Sequence, residues 1–198
     1  MTNEWCFNEN LSDLDHHCWR LLHEGVFSYR NPFHFGVFTS ISDNFPDSRT
    51  VIVRGVDIQN KIIHFNTDIR SPKFAQLSQN PNISWLFYDE GLRIQMRCRG
   101  LASLHTHDEI ADKGWIDARL NCKITYLSPH APGTILDEPF LLDLNRKEIS
   151  DEELLNARKN FSIIQTKIYS LDWVFLHYKG NRRAHFDYLQ NKYSWIQT

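Results

Sequence analysis

Between positions 92 and 99 the sequence alternates strictly. Leu92, Ile94, Met96 and Cys98 are apolar, whereas Arg93, Gln95, Arg97 and Arg99 are polar or charged. Successive side chains of a strand point to opposite faces, so this pattern commits the segment to a sheet with one buried and one polar face. We predict one long strand from Leu92 to Leu104, with Gly91 as the turn before it. Other strands surround it. Phe33 to Thr39 is one, and Thr50-Val51-Ile52-Val53 is a β-branched strand core. Asp57 to Lys61 reads as a turn, so Ile62 to Phe65 forms a hairpin with the preceding strand. Ile83 to Tyr88 is a further strand. Asp43 to Ser48, which holds Pro46, reads as a turn or exposed loop. Near the end, Tyr169 to Tyr178 and Arg182 to Leu189 are predicted strands flanking a turn at Lys179-Gly180-Asn181.

Helices are fewer. Ser12 is the predicted N-cap of a helix over 12–30, with Leu14, Cys18, Leu21, Leu22 and Val26 at helical spacing and Asn31-Pro32 as its stop. Ser71-Pro72 has the order of a cap and a first helical position, and Phe74 and Leu77 give that short helix a buried side until Asn80-Pro81. A helix over 108–121, a Pro/Gly-containing loop over 128–139 and a charged helix over 151–167 complete the outline. Antiparallel strands with few helices between them imply a mainly β fold, a small barrel with peripheral helices. At 198 residues we expect a single domain: helix 12–30, barrel core 33–104 and C-terminal strands 169–189. Aromatic residues make up 13%, which suits a tightly packed β core or an interface.

Composition narrows the function. A net charge of -2 is not the footprint of a general nucleic-acid binder. No apolar run approaches the roughly 20 residues of a membrane span. The start, Met1-Thr2-Asn3-Glu4, lacks the order of a secretory signal, so a cytoplasmic protein is expected. Cys6, Cys18, Cys98 and Cys122 lack close pairing and read as reduced thiols rather than disulfides or a zinc site. His105-x-His107 is read as a chance pair among ten histidines, and no metal is expected.

Candidate chemistry gathers between Arg49 and Arg99. Arg49 and Arg54 bracket one strand. Arg70-Ser71-Pro72-Lys73 opens a helix, where unpaired N–H groups, the helix dipole and two cations suit a phosphate. A capped surface helix with solvated charges accounts for the same residues. The row Arg93, Gln95, Arg97 and Arg99 calls for solvent, an anionic ligand or an acidic partner between its like charges. No G-x-G-x-x-G or Walker A pattern is present, and no Ser/His/Asp or Cys/His order points to hydrolysis.

Taken in order, these pieces form a longer pattern: Arg49-Thr50-Val51-Ile52-Val53-Arg54-Gly55-Val56-Asp57, Phe65-Asn66-Thr67-Asp68-x-Arg70-Ser71-x-Lys73, Asn80-Pro81, Leu86-Phe87-Tyr88 and Arg93-x-Gln95-x-Arg97-x-x-Gly100. The series, with a fainter echo in Asp172-Trp173 and Gly180 to Phe186, resembles the pyridoxamine 5′-phosphate oxidase-like flavoproteins, in a shorter branch than the biosynthetic oxidase. The resemblance implies an antiparallel FMN-binding split β-barrel and a homodimer with FMN in the clefts between subunits. It implies that Arg49 and Lys73 hold the FMN phosphate, helped by Ser71, with Arg70 supplying a further guanidinium. Val51, Ile52, Asn66 and Thr67 would line the flavin, and Gln95 would bond the isoalloxazine edge. Trp173, Arg183 and His185 would arrive from the other subunit.

The chain departs from the family at Pro72, where Arg is usual, and at His185, where Arg is usual. Arg54 stands where the biosynthetic oxidase directs a Lys at the substrate phosphate. That enzyme's Tyr-x3-Arg-x3-Ser run is absent; Trp115-x3-Arg119-x3-Lys123 on one helix face is what this chain offers. Its C-terminal Arg-x-His becomes Asn181-x-Arg183. The expected function is hydride transfer from a small anionic substrate to FMN, with Arg54, Arg119 and Arg183 contacting the substrate and no residue assigned as catalytic. The alternative is a non-catalytic flavin-binding or sequestering protein of the same fold.

Overall fold

The structure, a computed structural model, describes residues 10–144, 146 and 148–198. Cys6 and the opening Met1-Thr2-Asn3-Glu4 lie outside them. Nine antiparallel strands form one sheet: β1 (Phe35–Ser42), β2 (Phe45–Ile52), β3 (Gly55–Asp57), β4 (Ile62–Asp68), β5 (Asn82–Asp89), β6 (Ile94–His105), β7 (Phe161–Phe175), β8 (Arg182–Asp187) and β9 (Lys192–Ile196). The order is β2-β1-β5-β6-β7-β4-β3, with β8 on β7 and β9 on β8. Strand β7 divides the sheet. Its first half pairs with β4 and its second half with β8, while β6 runs along both. β2 and β3 remain as the two ends, so the barrel is split rather than closed. Gly100 marks the bend in β6, where the register with β7 shifts; a Cβ there would sit 2.0 Å from the Lys167 carbonyl oxygen, so the close approach requires glycine.

The aromatic content fills the interior. Phe38 packs against Phe65 (ring centroids 4.8 Å apart) and Trp85 (5.0 Å), and Trp85 stacks on Phe87 at 5.4 Å. Trp85 Nε1 donates to Thr166 Oγ1 at 3.1 Å, and that hydroxyl donates to the Ile63 carbonyl at 2.7 Å. Both groups are fully buried. Thr166→Val keeps the shape and strands the indole N–H, so it should cost about 1–3 kcal/mol; urea denaturation reads this as a lower midpoint with an unchanged slope.

Among the described residues five α-helices sit outside the sheet: α1 (Leu11–Gly25), α2 (Pro72–Gln79), α3 (Glu109–Asp117), α4 (Leu120–Ile124) and α5 (Asp151–Asn160). The barrel expectation holds, and several boundaries move. Asn10, not Ser12, caps α1 by accepting from the Ser12 and Asp13 amides, and the helix ends at Gly25 rather than at 30. The strand expected over 33–39 begins after a short 3-10 turn and extends to Ser42. The loop expected over 43–48 is largely strand. Asp43 and Asn44, both at positive φ, make a tight turn, and β2 starts at Phe45. Pro46 is tolerated because β2 is an edge. The expected hairpin of 50–53 with 62–65 is replaced by two hairpins, β1–β2 and β3–β4.

Leu92 and Arg93 belong to the turn before β6, with Arg93 at φ 55°, so Arg93 leaves the basic row. The helix expected over 108–121 breaks at Ala118, whose ψ is 135°. Trp115, Arg119 and Lys123 therefore do not share one helix face. The charged helix ends at Asn160 instead of 167, because Phe161 to Lys167 is β-branched sequence claimed by β4 and β6 on either side. A last strand, β9, follows β8.

Candidate functional site

Arg49 and Asp47 are two residues apart on β2 and share a face. The β1–β2 register sets Arg49 opposite Phe38 and Asp47 opposite Ser40. The Arg49 guanidinium donates to Ser40 Oγ at 2.6 Å and to Gln76 Oε1 of α2 at 3.2 Å, and pairs with Asp47 Oδ2 at 2.5 Å. Lys73, in the first turn of α2, donates to Thr67 Oγ1 at 3.2 Å. That hydroxyl lies 3.3 Å from Ser71 Oγ, and both hydroxyl residues are buried. Burial lowers the Lys73 pKa and the neighbouring Arg49 charge lowers it further; burial also lowers that of Arg49, against the pull of Asp47. Two cations thus face one another with limited solvent, and an anion between them would relieve both.

The helix start adds less than expected. Ser71 makes no side-chain cap bond, Pro72 has no N–H, and the Phe74 amide is spent on the Ser71 carbonyl. Positive charge in the cradle therefore rests on side chains. Arg70 points elsewhere. Its guanidinium engages both carboxylate oxygens of Asp68, at 2.6 to 3.2 Å, and donates to the Ser128 carbonyl at 3.0 Å. Arg70 thus ties the loop after α4 to the end of β4.

The opposite face of β4 borders a cavity of about 310 Å³. Strand alternation turns His64 and Asn66 toward it, away from Phe65 and Thr67. Arg54 and Arg119 both line it, together with His34, Cys122 and Ile163. The Arg54 amide donates to the His64 carbonyl at 2.9 Å, fixing this stretch beside β4, and Arg54 Nη2 reaches Cys122 Sγ at 3.6 Å. Arg119 precedes α4 in the N-cap position, directly after the helix break. Two of the three predicted substrate cations are thereby brought together. His34, His64 and Cys122 were not singled out by the sequence. His34 Nδ1 lies 2.8 Å from the Gly25 carbonyl, which only accepts, so the neutral ring carries its proton on Nδ1 and keeps Nε2 as an acceptor. Burial lowers the His64 pKa, with His105 adding to the effect. Its ring sits where a Cβ on Gly55 would come within 2.0 Å, so glycine makes its room. The available signal for His64 was its period-2 partnership with Asn66.

Gln95 and Arg183 lie in one cross-strand row, through Val174, and Arg97 and His185 in the next, through Asp172. Arg97, Arg99, Asp172, Arg183 and His185 line a groove of about 430 Å³ on the outer face of β6, β7 and β8. Asp172 is its hub. It receives Arg183 through both Nε and Nη2, and Arg97 at 3.0 Å, while His185 Nδ1 is 3.8 Å away. This carboxylate, not foreseen, offsets the like charges of the row. Trp173 faces the other way and is 1% exposed, stacked near Phe175 and edge-on to Trp195. Within this chain its ring is covered by neighbouring aromatic side chains. Val51 and Ile52 lie half-buried on the β2 edge beside Arg49.

Fold and geometry together define a class, the antiparallel split barrel with a paired-cation cradle between an edge strand and a helix start. Residues 17–106 match the family described as "Pyridoxamine 5'-phosphate oxidase, FMN-binding domain", so this part of the chain is similar to that family. A curated pyridoxine/pyridoxamine 5'-phosphate oxidase of Rhodopseudomonas palustris (strain BisB5) is 34% identical over 109 residues, 55% of this chain and 43% of that protein. The match thus spans less than half the length of that relative. Among solved structures, a pyridoxamine 5'-phosphate oxidase-related, FMN binding protein from Nostoc punctiforme superposes with a TM-score of 0.68 at 20% identity, covering 92% of this chain and 96% of that one. PhzG from Burkholderia lata, solved with tetrahydrophenazine-1-carboxylic acid, gives 0.69 at 14% identity over 100% and 98%. At such identities the likeness establishes the fold alone.

Proposed function

We propose that the protein is an FMN-dependent oxidoreductase acting on a small anionic substrate, and that it works as a homodimer with FMN where the subunits meet. The observation that carries this reading is the pairing of Lys73, on the buried Thr67 and Ser71 hydroxyls, with the neighbouring Arg49, on the buried Ser40 hydroxyl. Two neighbouring cations, of which Lys73 has only a neutral hydroxyl as its hydrogen-bond partner, together with hydroxyl groups are a donor set suited to a phosphate monoester. Val51 and Ile52 continue along β2 from the cradle toward Arg54, about 16 Å along the chain at strand rise, the scale of a mononucleotide, and Asn66 lines the cavity that Arg54 borders. Gln95, Arg183 and His185 gather on a separate, outward face, as a site completed by a second copy requires. Bound there, FMN would supply the hydride acceptor, with dioxygen or another electron acceptor taking the two electrons to reoxidise it. The chain contributes orientation and charge: Arg54 and Arg119 hold the substrate anion, and Asn66 and the acceptor Nε2 of His34 border the same cavity. Among the described residues no helix is long and apolar enough to cross a membrane. Cys18 and Cys98 are free, buried thiols whose pKa values burial raises, in keeping with a reducing, cytoplasmic setting.

The test is anaerobic reduction of the purified, flavin-loaded protein by a panel of small anionic amines and alcohols, pyridoxamine 5′-phosphate among them. Bleaching of the flavin absorbance by a donor, with peroxide released on return of air, is the expected result. Arg54→Ala should then raise KM roughly tenfold to a hundredfold, the worth of one charged hydrogen bond, and leave FMN affinity unchanged. Equal losses of both would move Arg54 into the cofactor site. A yellow protein that no donor bleaches would instead be a flavin-sequestering member of the fold, a reading favoured by Arg183, which Asp172 already holds.

A further inference from the structure

Protein groups close a ring of partners around Arg49. Arg49 donates to Ser40 Oγ, Ser40 Oγ donates to Gln76 Oε1 at 2.6 Å, and Gln76 Nε2 donates to Asp47 Oδ2 at 2.9 Å, which returns to Arg49. Asp47 supplies the one formal negative charge in that ring. The two ends of its ion pair differ in exposure. The Arg49 side chain is 20% exposed and that of Asp47 46%, so the carboxylate can rotate into water at little desolvation cost while the guanidinium stays. Lys73, the second cation, has a neutral hydroxyl as its hydrogen-bond partner.

We propose that Asp47 is a displaceable stand-in for phosphate: it holds Arg49 in the cradle and must swing outward when a phosphate monoester binds, thereby setting how tightly this chain retains its ligand. The inference deepens the FMN reading and rests on it for the identity of the ester, whereas the competition itself concerns any phosphate. Three consequences follow from the geometry. The cradle keeps its shape without ligand, because Asp47 and Gln76 preorganise the guanidinium. Affinity is lower than two free cations would give, because an incoming dianion meets a carboxylate at the same nitrogen. The effect is confined to the phosphate end, so a ligand without phosphate is indifferent to it.

The experiment compares the wild-type protein with Asp47→Asn, which preserves size and the bond from Gln76. FMN, riboflavin and inorganic phosphate are titrated against each at low ionic strength, with thermal midpoints recorded beside them. Asp47→Asn should tighten FMN and phosphate by about twofold to fivefold, the worth of one partly exposed charge pair, and leave riboflavin unchanged. An Asp47→Asn protein that binds FMN equally or more weakly overturns the proposal and makes Asp47 a support for Arg49, while the FMN reading stands. If neither protein binds FMN but Asp47→Asn gains affinity for phosphate, the competition stands and the FMN reading falls. If neither binds either anion, both fall. Asp47→Ser carries the same comparison should the Asn variant fail to fold.

Discussion

Lys73→Ala should weaken FMN binding by about tenfold to a hundredfold, and Arg49→Ala combined with it should leave no retained flavin after gel filtration. The estimate follows from the worth of one hydrogen bond to a charged group, about 1.5–3 kcal/mol each. Lys73 gives the cleaner single test. Its hydrogen bond is to Thr67 Oγ1, a neutral group that solvent or Ser71 can satisfy once the ammonium is gone. Arg49→Ala also releases Ser40, Gln76 and Asp47, so part of its effect is local rearrangement. Riboflavin separates the causes: its affinity should be unaffected by Lys73→Ala, since it lacks the phosphate. Arg70→Ala is the internal contrast. Its guanidinium serves Asp68 and Ser128, so its loss should lower thermal stability and leave FMN affinity within about threefold. A fall in FMN affinity for Arg70→Ala as large as that for Lys73→Ala would place Arg70 on the phosphate after all.

Where the sequence and the structure agree, the governing physics is local. The alternation of residues 94–99 has the period of a strand, and Ile94, Met96 and Cys98 are buried while Arg97 and Arg99 are exposed. The Ser71-Pro72 start is a matter of backbone preference over a few residues, and α2 begins there. Arg49 and Lys73 were legible as a pair through the family resemblance, and the hairpin and helix bring them to one cradle. The misread elements are settled by distant partners. Phe161 to Lys167 continues a charged helical run, yet β4 and β6 offer it ladder bonds on both sides and the strand wins. Pro46 suggested a loop, but an edge strand leaves its missing N–H without consequence. The same applies to the site. Asp68 takes Arg70, Asp172 takes Arg97 and Arg183, and Asp47 takes Arg49. A sequence displays cations as free charges; only the fold reveals which carboxylates already hold them.

The largest stability effect should come from outside the site, at Asp15. This residue of α1 is 5% exposed, yet its carboxylate has a full complement of donors. Lys61 Nζ lies 2.9 Å from Oδ2, and the Tyr188 hydroxyl donates to Oδ1 at 2.5 Å while accepting from Trp19 Nε1 at 2.8 Å. The Lys61 ammonium also lies over the Trp19 and Tyr188 rings, 4.8 and 5.0 Å from their centroids. Three distant pieces of chain meet here: the N-terminal helix, the β3–β4 turn and the turn after β8. Burial and the Asp15 charge push the Tyr188 pKa far upward, so the phenol remains a donor at any working pH. Asp15→Ala removes the acceptor of three donors at once, Lys61, Tyr188 and the Tyr193 side chain, which also hydrogen-bonds Asp15. Breaking such a pair costs about 3–5 kcal/mol; Lys61 retains a path to water, so the lower end, about 3 kcal/mol, applies. For a chain of this size that is a fall in Tm of about 6–12 °C. Adding Lys61→Met should recover part of the loss, because the stranded ammonium rather than the missing attraction is the main penalty. If the double variant is no more stable than Asp15→Ala alone, the deficit lies in the hydrogen bond to Tyr188, and Tyr188→Phe should then restore what Lys61→Met did not.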